Sequence, residues 1–364
     1  MAVTQFNYYS SADSGSPGLI NATTGSLLPI FEACLVTGYG AKPGAGWLKP
    51  GGNYIITAGA AALGHCAWQQ PSGSKCTLFI NDAAGHTVAG AAEAYATGWE
   101  YLNSFSASYP GPGGTVLGMS ASVGSGSGQF PLGSQNLTTG RVTIRKSVAI
   151  NTVGRPWHMY ADDRTLYLFI QDGNASVVGS YRALFFGDIF GLAGPTDTSK
   201  CIIHASTTDG TATGGSSVDL TDGFTGCLDL ATVVNQMFIS RGQGGGGAST
   251  ACLKFANAGV SSTTAGTVST LLALAGKLPC PNPADGAIYL SPIWAIEMPA
   301  GGINASFRGR MRGMWQVCHA VTNFTDGQII QGSGDYAGKT FRITWRGTNN
   351  GFWAIEISNT VEAN

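Results

Sequence analysis

The sequence is poor in charge. Asp, Glu, Lys and Arg make up 11% of its 364 residues, whereas a soluble domain ordinarily carries about 25%. The 19 basic and 20 acidic side chains almost cancel and leave a net charge of -1, so no overall field attracts nucleic acid or an anionic membrane. A monomer of this size normally spreads more charge over its surface. We therefore expect other subunits to cover much of the surface, with Gly, Ser, Thr and Asn loops forming the rest.

Long apolar runs and export signals are missing too. No run reaches 18 apolar residues, so we expect no membrane-spanning helix and no membrane partner. Residues 1–18 contain no basic segment followed by an apolar run. We therefore expect no signal peptide and synthesis in the cytoplasm.

The eight cysteines are scattered, and no two of them form a CxxC pair. An even number permits disulfides, but a chain made in a reducing compartment would form them only later, for instance after release from a lysed cell. The alternative is that the cysteines are buried free thiols, which pack as small apolar side chains. The candidates for bridging are Cys34, Cys66, Cys76, Cys201, Cys227, Cys252, Cys280 and Cys318.

Patterns typical of metal sites and hydrolases are also lacking. The chain has five histidines, one CxxH motif that begins at Cys201, and two adjacent His/Cys pairs. Adjacent side chains of a strand point to opposite faces, so such pairs make poor metal ligands. Neither GxSxG nor HExxH occurs, and Asp162 and Asp163 lie where a turn is expected. We predict no metal, no cofactor and no enzymatic activity.

Two glycine motifs resemble nucleotide-binding loops but lack their context. "GSGDYAGKT" (332–340) has Ser333 where a P-loop needs its first glycine, and a strand pattern follows it instead of a helix. "GQGGGG" (242–247) satisfies GxGxxG, but no acidic residue occurs in the 19 residues that follow. We interpret them as a tight turn and a flexible loop. Sugar binding on exposed aromatic residues such as Trp99 and Tyr101 remains an alternative to their burial in the core.

One helix is predicted near the N-terminus, with Ser26 as its N-cap and Gly38 as its end. The four apolar residues that share its buried face are Leu27, Phe31, Cys34 and Leu35. Elsewhere the pattern favours strands. Residues 155–174 and 339–358 each show two apolar, aromatic runs around a turn, which predicts two β-hairpins. In the second hairpin, residues 341, 343 and 345 face one way and residues 342, 344 and 346 the other.

The expected fold is mainly β, with antiparallel sandwich-like or barrel-like sheets, long glycine-rich loops and one short helix. Glycine-rich and serine-rich stretches occur at 111–133, 210–217 and 242–249. The first separates an alanine-rich part from an aromatic, strand-rich part. We therefore predict an N-terminal domain over 1–133, with the helix and a β-rich part, and a C-terminal β-rich domain over 134–364.

The stretch "SFRGRMRGMW" (306–315) carries three arginines at alternate positions. In an extended strand Arg308, Arg310 and Arg312 would share one face. No aromatic residues alternate with them as in sites that stack bases, so we do not expect nucleic-acid binding. We interpret the stretch as an irregular structural strand. Its arginines would bridge carboxylates or backbone carbonyls within the subunit or across an interface, and Trp315 belongs to the same candidate interface.

Several segments, in order along nearly the whole chain, resemble a family of tailed-bacteriophage virion structural proteins of the tail, baseplate or neck type. They are residues 10–50, 155–170, 185–192, 285–297, 307–319 and 326–341. The family usually has Pro at the position of Arg312 and Leu at those of Phe307 and Met311, keeps the glycines and Trp315, and lacks most of these cysteines. The departures leave the strand pattern intact but leave the roles of Arg312 and the thiols open.

The resemblance implies a non-enzymatic, multi-copy component of a phage particle and supplies no catalytic residues. We expect copies of the chain to form a cyclic ring at the tail tip, baseplate or neck, in contact with other virion proteins. Synthesis would take place in the cytoplasm of the bacterial host. The alternatives are a receptor- or glycan-binding module of the tail that contacts the host surface, and a capsid-associated decoration protein.

Overall fold

The computed structural model describes most of the chain. The described residues are 6–50, 64–82, 93–105, 124–131, 142–147, 151–171, 173, 181–192, 199–205, 237–242, 249–255, 279, 281–297, 306–319, 323–345 and 352–357. The fold is mainly β with one short helical segment, as the sequence predicts. The predicted loop at 210–217, most of the stretches at 111–133 and 242–249, and the turn of the second hairpin lie outside the described residues.

The strands of the described residues divide between a 13-stranded sheet and a five-stranded sheet. The smaller sheet contains β2 (His65–Gln69), β3 (Thr77–Asn81), β4 (Glu93–Phe105), β5 (Gly124–Phe130) and β6 (Val142–Arg145). The larger sheet contains β1 (Asn7–Ser10), β7 (Trp157–Ala161), β8 (Thr165–Gln171), β9 (Tyr181–Asp188), β10 (Phe190–Gly191), β11 (Cys201–Ala205), β12 (Met237–Ile239), β13 (Ser249–Phe255), β14 (Leu290–Glu297), β15 (Ser306–Val317), β16 (Ile329–Gln331), β17 (Thr340–Trp345) and β18 (Phe352–Ile357).

The larger sheet closes on itself in two places. Its strands follow the order β1-β7-β8-β9-β11-β12-β13-β14-β15-β18-β17-β16. The order of paired strands leads from β9 through β11 to β15. β15 also pairs with β10, which directly follows β9 in the chain, so this part of the sheet forms a closed loop of strands. A parallel bridge between Phe6 and Ile357 also joins the segment before β1 to β18. These two links bend the larger sheet back on itself, as expected for a barrel-like sheet, while β16 pairs with β17 alone among the described strands.

Both predicted hairpins form. β7 pairs with β8 and β17 pairs with β18, each in the antiparallel sense. Asp162 shapes the turn of the first hairpin, because its Oδ1 accepts hydrogen bonds from the backbone amides of Arg164 and Thr165, both at 2.8 Å. Such local acceptance is why Asp is favoured in turns.

Successive residues of β8 pack into two different cores. Leu166, Leu168 and Ile170 belong to an apolar cluster shared with the smaller sheet and the helix. Tyr167 and Phe169 point into a second cluster, enclosed by the rolled larger sheet. Because both faces are covered, β8 has a nearly continuous apolar run in place of polar alternation.

The helical segment combines α1 (Leu28–Glu32) with a π-helical turn over Ala33–Thr37 and ends at Gly38, whose φ is 74°. The predicted N-cap role of Ser26 is wrong: its hydroxyl donates to the carbonyl oxygen of Asn21 at 2.7 Å, and the helix has no side-chain cap at its N-cap residue. The carboxylate of Asp82 instead accepts the amide of Leu27 at 2.9 Å.

A buried ion pair fixes this junction. Lys146 and Asp82 both have 0% side-chain exposure, and their charged atoms lie 2.5 Å apart. Burial raises the pKa of Asp82, while Lys146 opposes that shift. Lys146 Nζ also donates to the carbonyl oxygen of Thr23 at 2.8 Å. The pair thereby ties the segment before α1 to the smaller sheet.

Strand pairing crosses residue 133 in both directions. β1 pairs with β7 of the larger sheet, and β6 pairs with β4 of the smaller sheet. The division into domains 1–133 and 134–364 stays a prediction. If it holds, each domain contributes a strand to a sheet of the other. None of the helices in the described part of the chain has the length and apolar character needed to cross a bilayer.

Candidate functional site: the arginines of strand β15

Strand β15 lies at the junction where the larger sheet closes. β14 pairs with it on one edge, while the other edge pairs first with β10 and then with β18. Gly313 lies where the partner changes, and the register with β14 shifts between Pro292 and Trp294. The φ of Gly313 is 59°, and a Cβ there would lie 2.5 Å from the Phe6 ring. Glycine is therefore required for both backbone conformation and space.

The side chain of Arg308 is neutralised within the subunit. Its relative exposure is 9%. Nη1 donates to Glu297 Oε2 at 2.6 Å and to the carbonyl oxygen of Arg241 at 2.9 Å, and Nη2 donates to the carbonyl oxygen of Ser199 at 3.0 Å. This guanidinium holds three chain segments together by charge-assisted hydrogen bonds.

Arg312 is neutralised in the same way by the turn between β7 and β8. Its Nη2 lies 2.6 Å from Asp162 Oδ2, and its Nη1 lies 3.2 Å from Asp162 Oδ1 and 2.9 Å from Thr165 Oγ1. Burial raises the pKa of Asp162, and the charge of Arg312 opposes the rise. A fork-shaped contact of this kind satisfies both carboxylate oxygens at once.

Arg310 packs against aromatic rings. Its guanidinium carbon lies 5.1 Å from the ring centre of Phe190 and 5.5 Å from that of Trp315. Arg312 also lies 5.6 Å from the Phe190 ring, so these two arginines share a ring between them. Trp315, 9% exposed, meets the edge of Tyr336 with ring centres 5.2 Å apart. Cation-π contacts of this type stabilise a partly desolvated arginine.

A second polar cluster, which the sequence does not predict, lies beside β1, β7 and β17. Arg342 is 6% exposed; its Nη1 donates to the hydroxyl of Tyr160 at 2.8 Å, and its guanidinium lies 4.5 Å from the ring centre of Tyr8. Thr344, fully buried on the same strand, shares the Tyr160 hydroxyl at 2.7 Å. The face of β17 that carries Arg342 and Thr344 is therefore buried against another part of the sheet.

His158 lies at the edge of this cluster. Its Nδ1 is 2.7 Å from the hydroxyl of Tyr8, and its ring meets the edge of Tyr181 at 5.7 Å. Burial lowers the pKa of His158 to about 4, with a further contribution from Arg342. The Tyr181 hydroxyl donates to Asp326 Oδ2 at 2.5 Å. At neutral pH the imidazole is uncharged, and Arg342 is the cation at the centre of the cluster.

Five cysteines are buried and carry free thiols: Cys34, Cys66, Cys76, Cys201 and Cys318. Burial raises the pKa of Cys201 well above its ordinary value, and a hydrogen bond with the Cys76 thiol adds to the shift. Cys227, Cys280 and the side chain of Cys252 lie outside the described residues. Buried structural thiols are chemically inert.

The structure describes one of the two motifs that resemble nucleotide-binding loops and only the first residue of the other. Residues 334–336 of "GSGDYAGKT" form a 3-10 turn that leads directly into β17, as predicted for a tight turn. Residues 243–248, which include most of "GQGGGG", lie outside the described residues. Within the described part of the chain, no group of three or more His, Cys, Asp and Glu side chains is arranged to hold a metal ion.

No protein-family model and no curated protein matches this chain.

The charged side chains of β15 interact within the subunit. Two of the three predicted site arginines already bind carboxylates of their own subunit, and the third lies over aromatic rings. The arrangement can lock a sheet junction, but it presents no open fork for a phosphate.

Proposed function

We propose that the chain is a non-enzymatic structural component of a tailed-phage particle, located at the tail tip, baseplate or neck. Copies of the chain assemble as a ring and contact other virion proteins after synthesis in the host cytoplasm. The resemblance of six ordered segments to virion proteins supports this proposal, and so does the low charge of the chain, 11% of residues. The structural observation that carries it is a ribbon formed by residues 100–105 of β4 and by β5, which carries no charged side chain from Tyr101 onward.

The ribbon extends beyond the rest of the smaller sheet. β3 pairs with residues 95–99 of β4, whereas β5 pairs with β4 as far as Phe105. Among the described residues, positions 100–105 of β4 therefore pair with β5 alone. Tyr101 on this ribbon is 59% exposed. A two-stranded ribbon is marginally stable by itself, so contact with a neighbouring molecule would stabilise it.

The ribbon has a charged base and no charge beyond it. Glu100 binds Arg241 through two contacts of 2.6 Å, which ties the ribbon to the segment after β12. From residue 101 to residue 140 the sequence contains no Asp, Glu, Lys, Arg or His. Depletion of charge is typical of the core of an interface and unusual for a freely exposed surface. We assign this ribbon to the contact between neighbouring subunits.

A matched pair of substitutions tests this assignment. Tyr101 and Val153 have similar exposure, 59% and 55%, but Val153 lies outside the ribbon. Tyr101→Lys is expected to prevent ring formation, because a buried unpaired charge is costly, while Val153→Lys is expected to leave it intact. Sedimentation velocity of the purified proteins gives the size of the assembly. Normal rings from Tyr101→Lys, or equal loss from both variants, would contradict the assignment.

A second candidate function is contact with a host-surface glycan, and one surface group favours it. Tyr289 is 41% exposed, and its hydroxyl donates to Asp285 Oδ2 at 2.6 Å and accepts from Asn282 Nδ2 at 3.1 Å. An exposed aromatic ring beside carboxylate and amide groups is chemically suited to a sugar. Purified protein would then block phage adsorption, and Tyr289→Ala would abolish the block. Adsorption that is unaffected by the wild-type protein would contradict this candidate.

A further inference from the structure

Arg342 differs from the two buried arginines of β15 in one respect. Arg308 and Arg312 each form an ion pair at 2.6 Å. No carboxylate of the described residues forms an ion pair with Arg342, although the side chain is only 6% exposed. A guanidinium removed from water without a counter-charge is unfavourable. Its retention therefore requires an explanation.

Among the described residues, the direct contacts of Arg342 are with uncharged groups. Nη1 binds the hydroxyls of Tyr160 and Thr344, at 2.8 and 3.5 Å, and the Tyr8 ring lies at 4.5 Å. Nε is buried and has no hydrogen-bond partner. Nη2 has no hydrogen-bond partner among the described residues and lies beside Gly327, where an added Cβ would be 3.0 Å from it.

The nearest charges do not neutralise this guanidinium directly. Asp326 favours the charged form of Arg342 through space, but it forms no ion pair with this guanidinium, and its Oδ2 accepts the hydroxyl of Tyr181 at 2.5 Å. Lys42 lies 5.1 Å from the Tyr8 ring centre and has its own carboxylate, Asp13, at 2.7 Å. The Tyr8 ring thus contacts two cations. Lys42 is paired inside the subunit, whereas Arg342 has no ion pair among the described residues.

We propose that, in the assembled particle, the Asp or Glu side chain of a neighbouring polypeptide forms an ion pair with Arg342. The carboxylate approaches Nη2 past Gly327. A planar guanidinium with free N–H groups fits a carboxylate. A polypeptide is favoured over an acidic sugar because Tyr8 and Tyr181 are only 5% and 4% exposed, so they offer no ring face on which a sugar could stack. The identity of the partner chain rests on the proposed virion function.

The experiment compares Arg342→Met with Arg312→Met in the isolated protein and in the particle. Arg342→Met removes an unpaired buried charge, so the isolated protein is expected to unfold at the same or a higher urea concentration. Its incorporation into particles is expected to fall about tenfold, the loss that corresponds to one charge-assisted contact. Arg312→Met breaks an internal pair and is expected to lower the urea midpoint. Arg342→Lys keeps the charge without the fork and is expected to incorporate at an intermediate level.

Three results would overturn the proposal. The first is incorporation of Arg342→Met at the wild-type level; if the wild-type chain is absent from particles, the virion function itself fails. The second is binding of free glucuronate to the isolated wild-type protein and not to Arg342→Met, which would make a sugar acid the ligand. The third comes from suppressor selection. Suppressors selected in phage carrying Arg342→Glu are expected to replace an acidic residue of a virion protein with Lys or Arg. Suppressors confined to position 342 would count against a partner carboxylate.

Discussion

Arg312 and Asp162 lie 150 residues apart in the sequence, yet they form a two-pronged ion pair with contacts of 2.6 and 3.2 Å. The same carboxylate accepts the backbone amides that shape the turn between β7 and β8. The Tyr167 hydroxyl adds a bond to the carbonyl oxygen of Arg312 at 2.7 Å. One guanidinium therefore joins the first hairpin to the strand at which the sheet closes.

Loss of this ion pair is expected to destabilise the fold. Arg312→Ala leaves the buried carboxylate of Asp162 without its counter-charge, which costs about 3–5 kcal/mol for a buried pair. Urea unfolding followed by far-ultraviolet circular dichroism measures the change. Arg164→Ala is the control, because that side chain is 45% exposed and its loss is expected to cost less than about 1 kcal/mol. Equal losses from the two variants would contradict a special role for Arg312.

The hairpin that contains Asp162 could be predicted from the sequence, but the pairing of Asp162 with Arg312 could not. Apolar runs around Asp162 and Asp163 identify the turn because turn chemistry is local. The approach of Arg312 depends on the closing of the sheet at Gly313, and strand spacing in the sequence contains no information about that distance. The N-cap prediction for α1 was wrong for the same reason. Ser26 is the local candidate, but the carboxylate of Asp82, 55 residues away, accepts the backbone amide of Leu27.

The buried pair of Lys146 and Asp82 gives a second stability prediction. Lys146→Met is expected to destabilise the protein by about 3–5 kcal/mol, because Asp82 then remains buried without its counter-charge. The double variant Lys146→Met with Asp82→Leu is expected to be less destabilised than Lys146→Met alone, since an apolar pair can replace a buried ion pair. Additive losses in a double-mutant cycle of urea unfolding would contradict the coupling.

His158 gives a prediction for pH. Its pKa is lowered to about 4 in the folded protein, against about 6.5 in an unfolded chain. The unfolded state therefore binds the proton first, and stability is lost as the pH falls from about 6.5 to 4; it is fully present above about 6.5. The expected loss between pH 7 and pH 4 is about 2–3 kcal/mol.

Variants at two positions isolate the contribution of His158 to the pH dependence of stability. His158→Gln is expected to remove that part of the pH dependence, whereas Tyr8→Phe removes the hydrogen bond at 2.7 Å and keeps the imidazole. Comparison with the wild type at each pH cancels the contribution of buried carboxyl groups such as Asp162, whose pKa is raised. An unchanged pH profile of unfolding free energy in His158→Gln would show that His158 titrates normally.

The buried thiols are expected to resist modification in the native protein. Burial raises the pKa of Cys66, and that of Cys318 to about 11, so little thiolate is present at neutral pH. Iodoacetamide should leave the five described cysteines unlabelled until the protein is unfolded, as mapped by peptide mass spectrometry. Labelling of these residues in the native state, or their recovery as disulfides from intact particles, would contradict this expectation.

The Arg342 cluster shows where prediction from the sequence ends. The period-two pattern of β17 correctly placed Phe341 and Ile343 on one face, but it did not indicate that Arg342 and Thr344, on the other face, are also covered. Both are buried, because β1 and β7 approach that side. Tyr8 and His158 each occur in unremarkable local sequence, and only the tertiary fold brings them to the same guanidinium.

The proposed virion function is tested most directly by counting copies of the chain in purified phage particles. Quantitative mass spectrometry, with the major capsid protein as internal standard, gives the number of copies per particle. A whole multiple of a ring symmetry, reproduced between preparations, is the predicted result. Absence of the chain from mature, infectious particles would contradict a structural role in the virion.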